Sequence, residues 1–216
     1  MPPVSTVTAG RRRVPTQGRS RERVERILDA ASASVVDEGV DALSTRAIAT
    51  RAGVPVASLY QYFADKDAVL LAIVERDTAE MDEVVAAELA ALPTLSVRAI
   101  VETTMRAYVG VFHRRPAFVE IWLRGRTNPA VQEYCRDHNR RTALALLQLA
   151  DDRGLVAPGT PQQVAELAVE IGDRVFQLAF ERDLRGDAFL VDEGIAMVSA
   201  YLEGHATPEG VEGVSA

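Results

Sequence analysis

Two tyrosines, Tyr60 and Tyr62, are the side chains whose spacing most clearly indicates a chemical task. They lie between Leu59 and Phe63, which are four residues apart on a predicted helix and point toward one core, leaving the tyrosines outside it. Two exposed hydroxyls at this spacing can donate hydrogen bonds to phosphates along one wall of a DNA groove. The open alternative is that both rings only pad a small domain. We interpret the pair as part of a phosphate-binding surface.

Residues with catalytic or metal-binding potential are sparse elsewhere in the chain. Cys135 and His138 lie three apart near Glu133, which permits a metal or nucleophile interpretation, but a pair without further ligands is better explained by packing or solvent exposure. As Cys135 is the only cysteine, an intrachain disulfide and a thiolate zinc site are excluded. We therefore expect no enzyme, no metal site and no cofactor. An acidic stripe typical of a solvated helix face is formed by Glu166, Glu170 and Asp173.

Charge is strongly segregated along the 216 residues, whose net charge is −7. Residues 1–66 carry a net charge of +3, whereas the remainder carries −10. We predict that residues 1–19 form a disordered basic arm that reaches the minor groove or tracks phosphates, the alternative being a solubilising tail. The arginines before Ile27 can approach phosphates electrostatically; they are Arg11, Arg12, Arg13, Arg19, Arg21, Arg23 and Arg26.

Hydrophobic periodicity predicts three helices within residues 20–64 that form a helix-turn-helix domain. The first covers about residues 20–37. The second follows Ser44, a good N-cap, and ends before Gly53, which permits a tight turn. Pro55 suits the first position of the third helix because an N–H there would have no helical partner. The third helix is then free to enter a major groove.

Residues 20–64 are called the head below. Beyond them, Asp65 can cap a long fourth helix that reaches about Ala91. The fold class is therefore all-α, with about nine helices, a helical domain at residues 65–204 and a disordered tail at 205–216. No apolar run is long enough to span a membrane and no signal peptide is recognisable, so we expect a cytoplasmic protein. The five remaining helices are predicted at about residues 95–115, 116–126, 129–153, 161–182 and 187–203.

Several spaced segments together resemble the DNA-binding domain of the tetracycline-repressor (TetR) family. The matching residues are 26–31, 44–49, 52–54 and 58–66, so the resemblance covers about residues 20–70. It implies an N-terminal helix-turn-helix followed by a variable helical domain that binds a ligand and dimerises. The chain departs from the family pattern at Pro55, Val56 and Tyr62, which bears on base specificity.

The resemblance also implies which side chains contact DNA. Carried over by position, Arg46 reaches a base or a phosphate, and arginine to guanine is the favoured direct pairing. Since Val56 and Ala57 cannot donate hydrogen bonds, we hypothesise that they read thymine methyl groups. The full set of implied DNA contacts is Thr45, Arg46, Val56, Ala57, Ser58, Tyr60, Tyr62 and Lys66.

The helical domain at residues 65–204 is called the body below. Its last two helices each carry two apolar stripes and a mid-helix glycine. Such a glycine lowers helix stability unless helices approach closely. We therefore predict a four-helix interface between two copies of the chain; the alternative is that both helices are buried within one subunit. The predicted interface residues are Val169, Gly172, Phe176, Phe180, Leu190, Gly194, Met197 and Tyr201.

Aromatic and flexible side chains on separate helices can enclose an apolar cavity for a small-molecule effector, although plain core packing is the alternative for each. We predict a homodimeric repressor of a pseudo-palindromic operator on double-stranded DNA, released when a small apolar or aromatic effector moves the fourth helix. An activator, a global DNA binder or an all-α enzyme are the alternatives. The predicted cavity residues are Met105, Tyr108, Phe112, Trp122, Tyr134 and Phe176.

Overall fold

The computed structural model describes residues 15–124 and 128–215, so most of the predicted basic arm lies outside the described residues. The prediction of an all-α fold is confirmed. The only strands within the described ranges are β1 (Thr94–Leu95) and β2 (Val214–Ser215), which pair antiparallel. The helices are α1 (Pro15–Glu38), α2 (Thr45–Arg51), α3 (Val56–Leu59), α4 (Lys66–Ala90), α5 (Val97–Arg114), α6 (Pro116–Phe118), which continues as the π-helix Val119–Arg124, α7 (Pro129–Asp152), α8 (Gln162–Ala179), α9 (Ala188–Glu203) and α10 (Pro208–Glu212).

The helix-turn-helix consists of α2 and α3. Ser44 caps α2 by accepting a hydrogen bond from the backbone N–H of Ala47 at 3.2 Å, and Gly53 makes the turn with a φ of 64°. The expectation for Pro55 was wrong by one position. Its ψ of 140° is extended, so Pro55 is the N-cap residue and α3 begins at Val56.

The first helix is longer than predicted. It begins at Pro15, so residues 15–19 are helical and do not belong to a disordered arm. Proline is well suited to a helix start because its φ is already helical and its missing N–H has no partner there. Ile27 and Ala31 of α1 are fully buried against Ile48 of α2 and Leu59 of α3, which closes the small core of the head.

The long helix α4 connects the head to the body. Asp65 caps it by accepting a hydrogen bond from the backbone N–H of Ala68 at 2.8 Å. Its buried face supplies Val69 and Ile73 near the head and Met81 farther along, and all three belong to one continuous apolar core. Head and body are therefore joined by a packed helix and not by a flexible linker.

The body is a layer of helices in which α8 and α9 pack side by side. A Cβ atom added at Gly194 of α9 would lie 2.5 Å from the Cγ1 atom of Val175 of α8, so this glycine permits the two helices to approach closely within one subunit. Much of the predicted dimer stripe was therefore assigned to the wrong surface. Gly172, Phe176, Phe180 and Gly194 are buried inside the subunit, whereas Met197 is exposed and Val169, Leu190 and Tyr201 are half-buried.

The prediction of a disordered tail at 205–216 was wrong for the residues that the structure describes. Thr207 caps α10 by accepting a hydrogen bond from the backbone N–H of Gly210 at 3.0 Å, and its own hydroxyl donates to the carbonyl of Gly154 at 2.7 Å. Gly210 lies so close to Leu155 that an added Cβ would meet its carbonyl oxygen at 1.9 Å. The composition of this segment is typical of a mobile tail, but the small residue Gly210 is required by its close packing on Leu155.

Candidate nucleic-acid interface and internal cavity

Hydroxyl groups from α1, from α2 and from the turn that follows α3 form two pairs on the head. The hydroxyls of Thr45 and Tyr60 lie 3.1 Å apart, and the Ser20 hydroxyl donates to that of Tyr62 at 3.3 Å. A hydroxyl carries one proton and two acceptor lone pairs, so each pair retains a proton for an outside acceptor. This arrangement can donate to phosphate oxygens. Ser20 is not among the predicted contacts, and its only signal in the sequence is its place near the start of the first amphipathic pattern.

The head also carries two cations, one on α2 and one at the start of α4. Arg46 is exposed and Lys66 half-exposed, and neither has an ion-pair partner among the described residues. Arg51, by contrast, donates to Asp37 and lies 3.9 Å from Glu38, which neutralises it within the head. Arg46 and Lys66 are thus the cations of α2 and α4 that remain available to an anionic partner.

The proposed base readers differ in accessibility. Ala57 is exposed, whereas Ser58 is half-buried and Val56 is half-buried against the core of the head. Tyr60 is 53% exposed, but Tyr62 packs partly on that core. The ring of Tyr62 therefore contributes to packing of the core, whereas the ring of Tyr60 contributes little.

Charged side chains connect the head to the body at one junction. Arg76 of α4 donates to Asp29 of α1 and to Asp77, both at 2.9 Å. Arg115, where α5 ends, lies 3.8 Å from Asp77 and 2.6 Å from Glu80. Burial raises the pKa of the Asp77 carboxyl, although both arginines oppose this effect. Asp77 is thus a buried carboxyl whose contact with Arg115 depends on the relative position of α4 and the end of α5.

A cavity of about 110 Å³ lies in the body among α4, α5, α7, α8 and α9. Its wall is almost entirely apolar. It contains five of the six residues expected at a pocket, namely Met105, Tyr108, Phe112, Trp122 and Phe176. Their role as ligand contacts stays a prediction.

The sixth residue, Tyr134, lies elsewhere. Its hydroxyl is 2.8 Å from that of Thr78, and it lines an open cleft between α4 and α7 together with His138 and Asp82. His138 is 3% exposed, and burial lowers its pKa although the Asp82 carboxylate, 3.6 Å away, opposes this. Burial raises the pKa of the thiol of Cys135, on the same helix, to about 12, which disfavours the nucleophilic thiolate. Within the described ranges, no group of three or more His, Cys, Asp or Glu residues could hold a metal ion.

The sequence matches two family models that together cover both halves of the chain. Residues 27–73 match bacterial regulatory proteins of the tetR family, and residues 96–202 match the tetracyclin repressor-like C-terminal domain. A crystal structure of a TetR-family transcriptional regulator from Streptomyces coelicolor is 30% identical, with a TM-score of 0.67 over 85% of this chain and 97% of that chain. The chain belongs to the TetR family.

Two curated relatives of this TetR-family chain are also regulators. The HTH-type transcriptional regulator BetI of Rhizobium meliloti is 24% identical over 199 residues, which is 91% of this chain and 96% of the relative. The HTH-type transcriptional repressor KstR of Mycobacterium tuberculosis is 42% identical over 62 residues, 29% of this chain and 28% of the relative. The protein is thus a DNA-binding transcriptional regulator. No helix in residues 15–124 or 128–215 is long and apolar enough to cross a membrane.

Proposed function

We propose that this TetR-family chain is a homodimeric repressor that binds a pseudo-palindromic operator and leaves it when a small apolar molecule occupies the cavity. The observation that carries the proposal is the course of α4. This helix begins directly after the helix-turn-helix, and its Met81 side chain lines the cavity. A ligand that displaces α4 in the body therefore also displaces the DNA-binding head.

The charged junction supports the same coupling. Arg76 ties α4 to Asp29 of α1, and the contact of Arg115 with Asp77 ties α4 to the end of α5, whose Phe112 lines the cavity. A shift between α4 and α5 would lengthen the contact between Arg115 and Asp77. The buried Asp77 carboxylate would then lose part of the attraction that offsets the cost of its burial. The junction thus gives the two arrangements of the head different energies, as a two-state switch requires.

Exposed apolar side chains on α8 and α9 support a dimer. Leu167 and Leu178 are 49% and 42% exposed on α8, and Phe189 and Met197 are 68% and 55% exposed on α9. A two-fold axis would bring this surface against the same surface of a second copy. The paired heads would then address two half-sites related by the same symmetry.

Selection from a random duplex library with the purified full-length chain, followed by footprinting, tests the proposal. We expect a short inverted repeat whose half-sites lie roughly 34–36 Å apart, about one turn of DNA. Coating of DNA without a preferred sequence would contradict a specific repressor and would identify a global DNA binder.

The thymine-methyl hypothesis for Val56 and Ala57 has its own test on the selected operator. Replacing thymine by uracil removes only the methyl group, so it should weaken binding where Ala57 contacts the base. The same replacement outside the protected sequence is the control. Equal affinity for both DNAs would refute methyl reading without affecting the operator assignment.

A further inference from the structure

The cavity is narrow and long. A spherical void of about 110 Å³ would span little more than one helical turn, whose pitch is about 5.4 Å. Its wall nevertheless extends on α5 from Val97 to Phe112, about 22 Å at about 1.5 Å per residue, and on α7 from Asn139 to Ala150, about 16 Å. A volume this small distributed over such a length is the shape of a channel and not of a round pocket.

One hydroxyl in the channel wall lacks a partner. Thr104 of α5 is 8% exposed, and its Oγ1 atom makes no hydrogen bond within the described residues. The neighbouring polar groups differ, because Asn139 donates to Glu170 and Thr160 donates to the carbonyl of Ala157. An unpaired buried hydroxyl is destabilising unless a ligand supplies the missing hydrogen bond.

The wall carries little charge. Among the described residues that line the channel there is no Lys or Arg, and its one carboxylate is Asp173, which accepts hydrogen bonds from Trp122 at 3.0 Å and Gln177 at 2.5 Å. Among the described lining residues the one basic side chain is the imidazole of His205, and an anionic ligand would lie in the field of the Asp173 carboxylate. The chemistry of the wall therefore favours an uncharged molecule.

Gly172 of α8 keeps the channel open. It is buried in mid-helix and lines the cavity, yet an added Cβ would meet no atom within 4 Å. Unlike Gly194, it is not required by close packing of a neighbouring helix. A mid-helix glycine lowers helix stability relative to alanine. What Gly172 provides in return is the empty space that a side chain would fill.

We infer that the effector is an uncharged molecule with an extended aliphatic chain and one hydrogen-bonding oxygen, which binds Thr104 in the channel beside Gly172. This inference rests on the proposed function, which places the effector in the same cavity, and adds its chemical class. An extended chain fits the narrow wall, and a single hydroxyl or carbonyl oxygen satisfies the buried hydroxyl of Thr104.

Trp122 provides the reporter, because it lines the channel and is the only tryptophan in the chain. Its fluorescence is titrated in the full-length protein with decanol, decanoate, decylammonium and adamantanol. Decanol should give a saturable change. Decanoate and decylammonium test charge, and adamantanol tests shape with the same number of carbon atoms; each should bind at least about tenfold more weakly.

Two variants locate the ligand. Thr104→Val should weaken decanol binding by about tenfold, as expected for one lost buried hydrogen bond, whereas the matched variant Thr103→Val should retain it. Gly172→Leu should abolish decanol binding while its melting temperature without ligand stays at or above that of the wild type. Equal or tighter binding of decanoate, decylammonium or adamantanol would overturn the inference, as would full affinity in Thr104→Val or Gly172→Leu.

Operator binding is measured in parallel with the same preparations. If the operator is bound but decanol is not, the chemical class is wrong and the proposed function stands. If decanol binds as expected but no operator is found, the channel stands and the repressor proposal is wrong.

Discussion

The hydroxyl of Tyr60 lies at the surface of the head, 3.1 Å from that of Thr45 and away from the apolar core. We predict that Tyr60→Phe lowers operator affinity by about tenfold, as expected for one lost hydrogen bond to a charged phosphate. The free energy of unfolding should hardly change, because the lost hydroxyl is exposed. The dependence of affinity on salt should also be unchanged, since no charge is removed.

Lys66→Ala is the matched control for Tyr60→Phe. This variant removes a charge, so it should lower both the operator affinity and the salt slope, the latter by about 1. Fluorescence anisotropy at several salt concentrations separates the two effects. Unchanged affinity in Tyr60→Phe would favour the alternative in which the ring only pads the domain.

His138 provides a pH prediction because it is buried between Trp122 and Tyr134. Burial lowers its pKa below the ordinary value of 6.5, although Asp82 opposes this effect. Between the lowered pKa of the folded chain and about pH 6.5, the unfolded chain therefore binds a proton that the folded chain does not. The contribution of this group to the free energy of unfolding should decrease as the pH is lowered, by at most about 1.4 kcal/mol per pH unit.

Thermal unfolding between pH 7.5 and 5 checks the assignment. His138→Gln should remove this part of the pH dependence, so the melting temperatures of variant and wild type converge or cross as the pH falls. His113→Gln is the control, because His113 is exposed. An identical slope in wild type and His138→Gln would show that other groups are responsible.

The capping residues show how much of each element could be predicted from the sequence. Ser44 and Asp65 cap α2 and α4 as expected, because a cap is a local interaction between a side chain and the next turn. The apolar stripes of α8 and α9 were less informative. Two stripes on one helix look alike in sequence, and only the packing of Gly194 on Val175 distinguishes the inner from the outer one.

The tail and the cavity illustrate the same limit. Gly210 was interpreted as part of a mobile end, although it is small because it packs on the Leu155 carbonyl, more than fifty residues earlier in the chain. The aromatic residues of the body could be predicted to lie inside, but Tyr134 was placed in the wrong one of two adjoining spaces. Contacts of this kind are non-local, so no periodicity within a helix records them.

Gly194 gives a prediction for the α8–α9 pair. Gly194→Ala should lower the free energy of unfolding by about 1–3 kcal/mol, because the new methyl group overlaps the stiff side chain of Val175. Gly110→Ala is the matched control in α5. Its Cβ would meet only the flexible end of Arg114 at 3.5 Å, so this variant should be stabilised by up to about 1 kcal/mol. Urea denaturation of both variants tests the pair, and equal stability changes would contradict the close approach.

For the whole molecule, the segregation of charge places two opposing requirements on assembly. The basic head favours DNA, whereas two bodies that each carry the acidic excess repel one another. Apolar contact must therefore outweigh this repulsion if the chain is to dimerise. The exposed apolar side chains of α8 and α9 are suited to that task because they recur along both helices.

We accordingly predict that Leu167→Glu converts the dimer to a monomer. Two-fold symmetry would bury one unpaired carboxylate from each copy in the interface, so the cost of the substitution is incurred twice. Leu144→Glu is the matched control, since Leu144 is a 40% exposed leucine on α7, outside the α8–α9 surface. Light scattering measures the mass of each variant. Binding to the whole operator and to a single half-site measures the consequence for DNA recognition. The monomer should lose its preference for the inverted repeat and retain its affinity for a single half-site. A dimeric Leu167→Glu protein, or a monomeric wild type at micromolar concentration, would contradict the assignment of this surface.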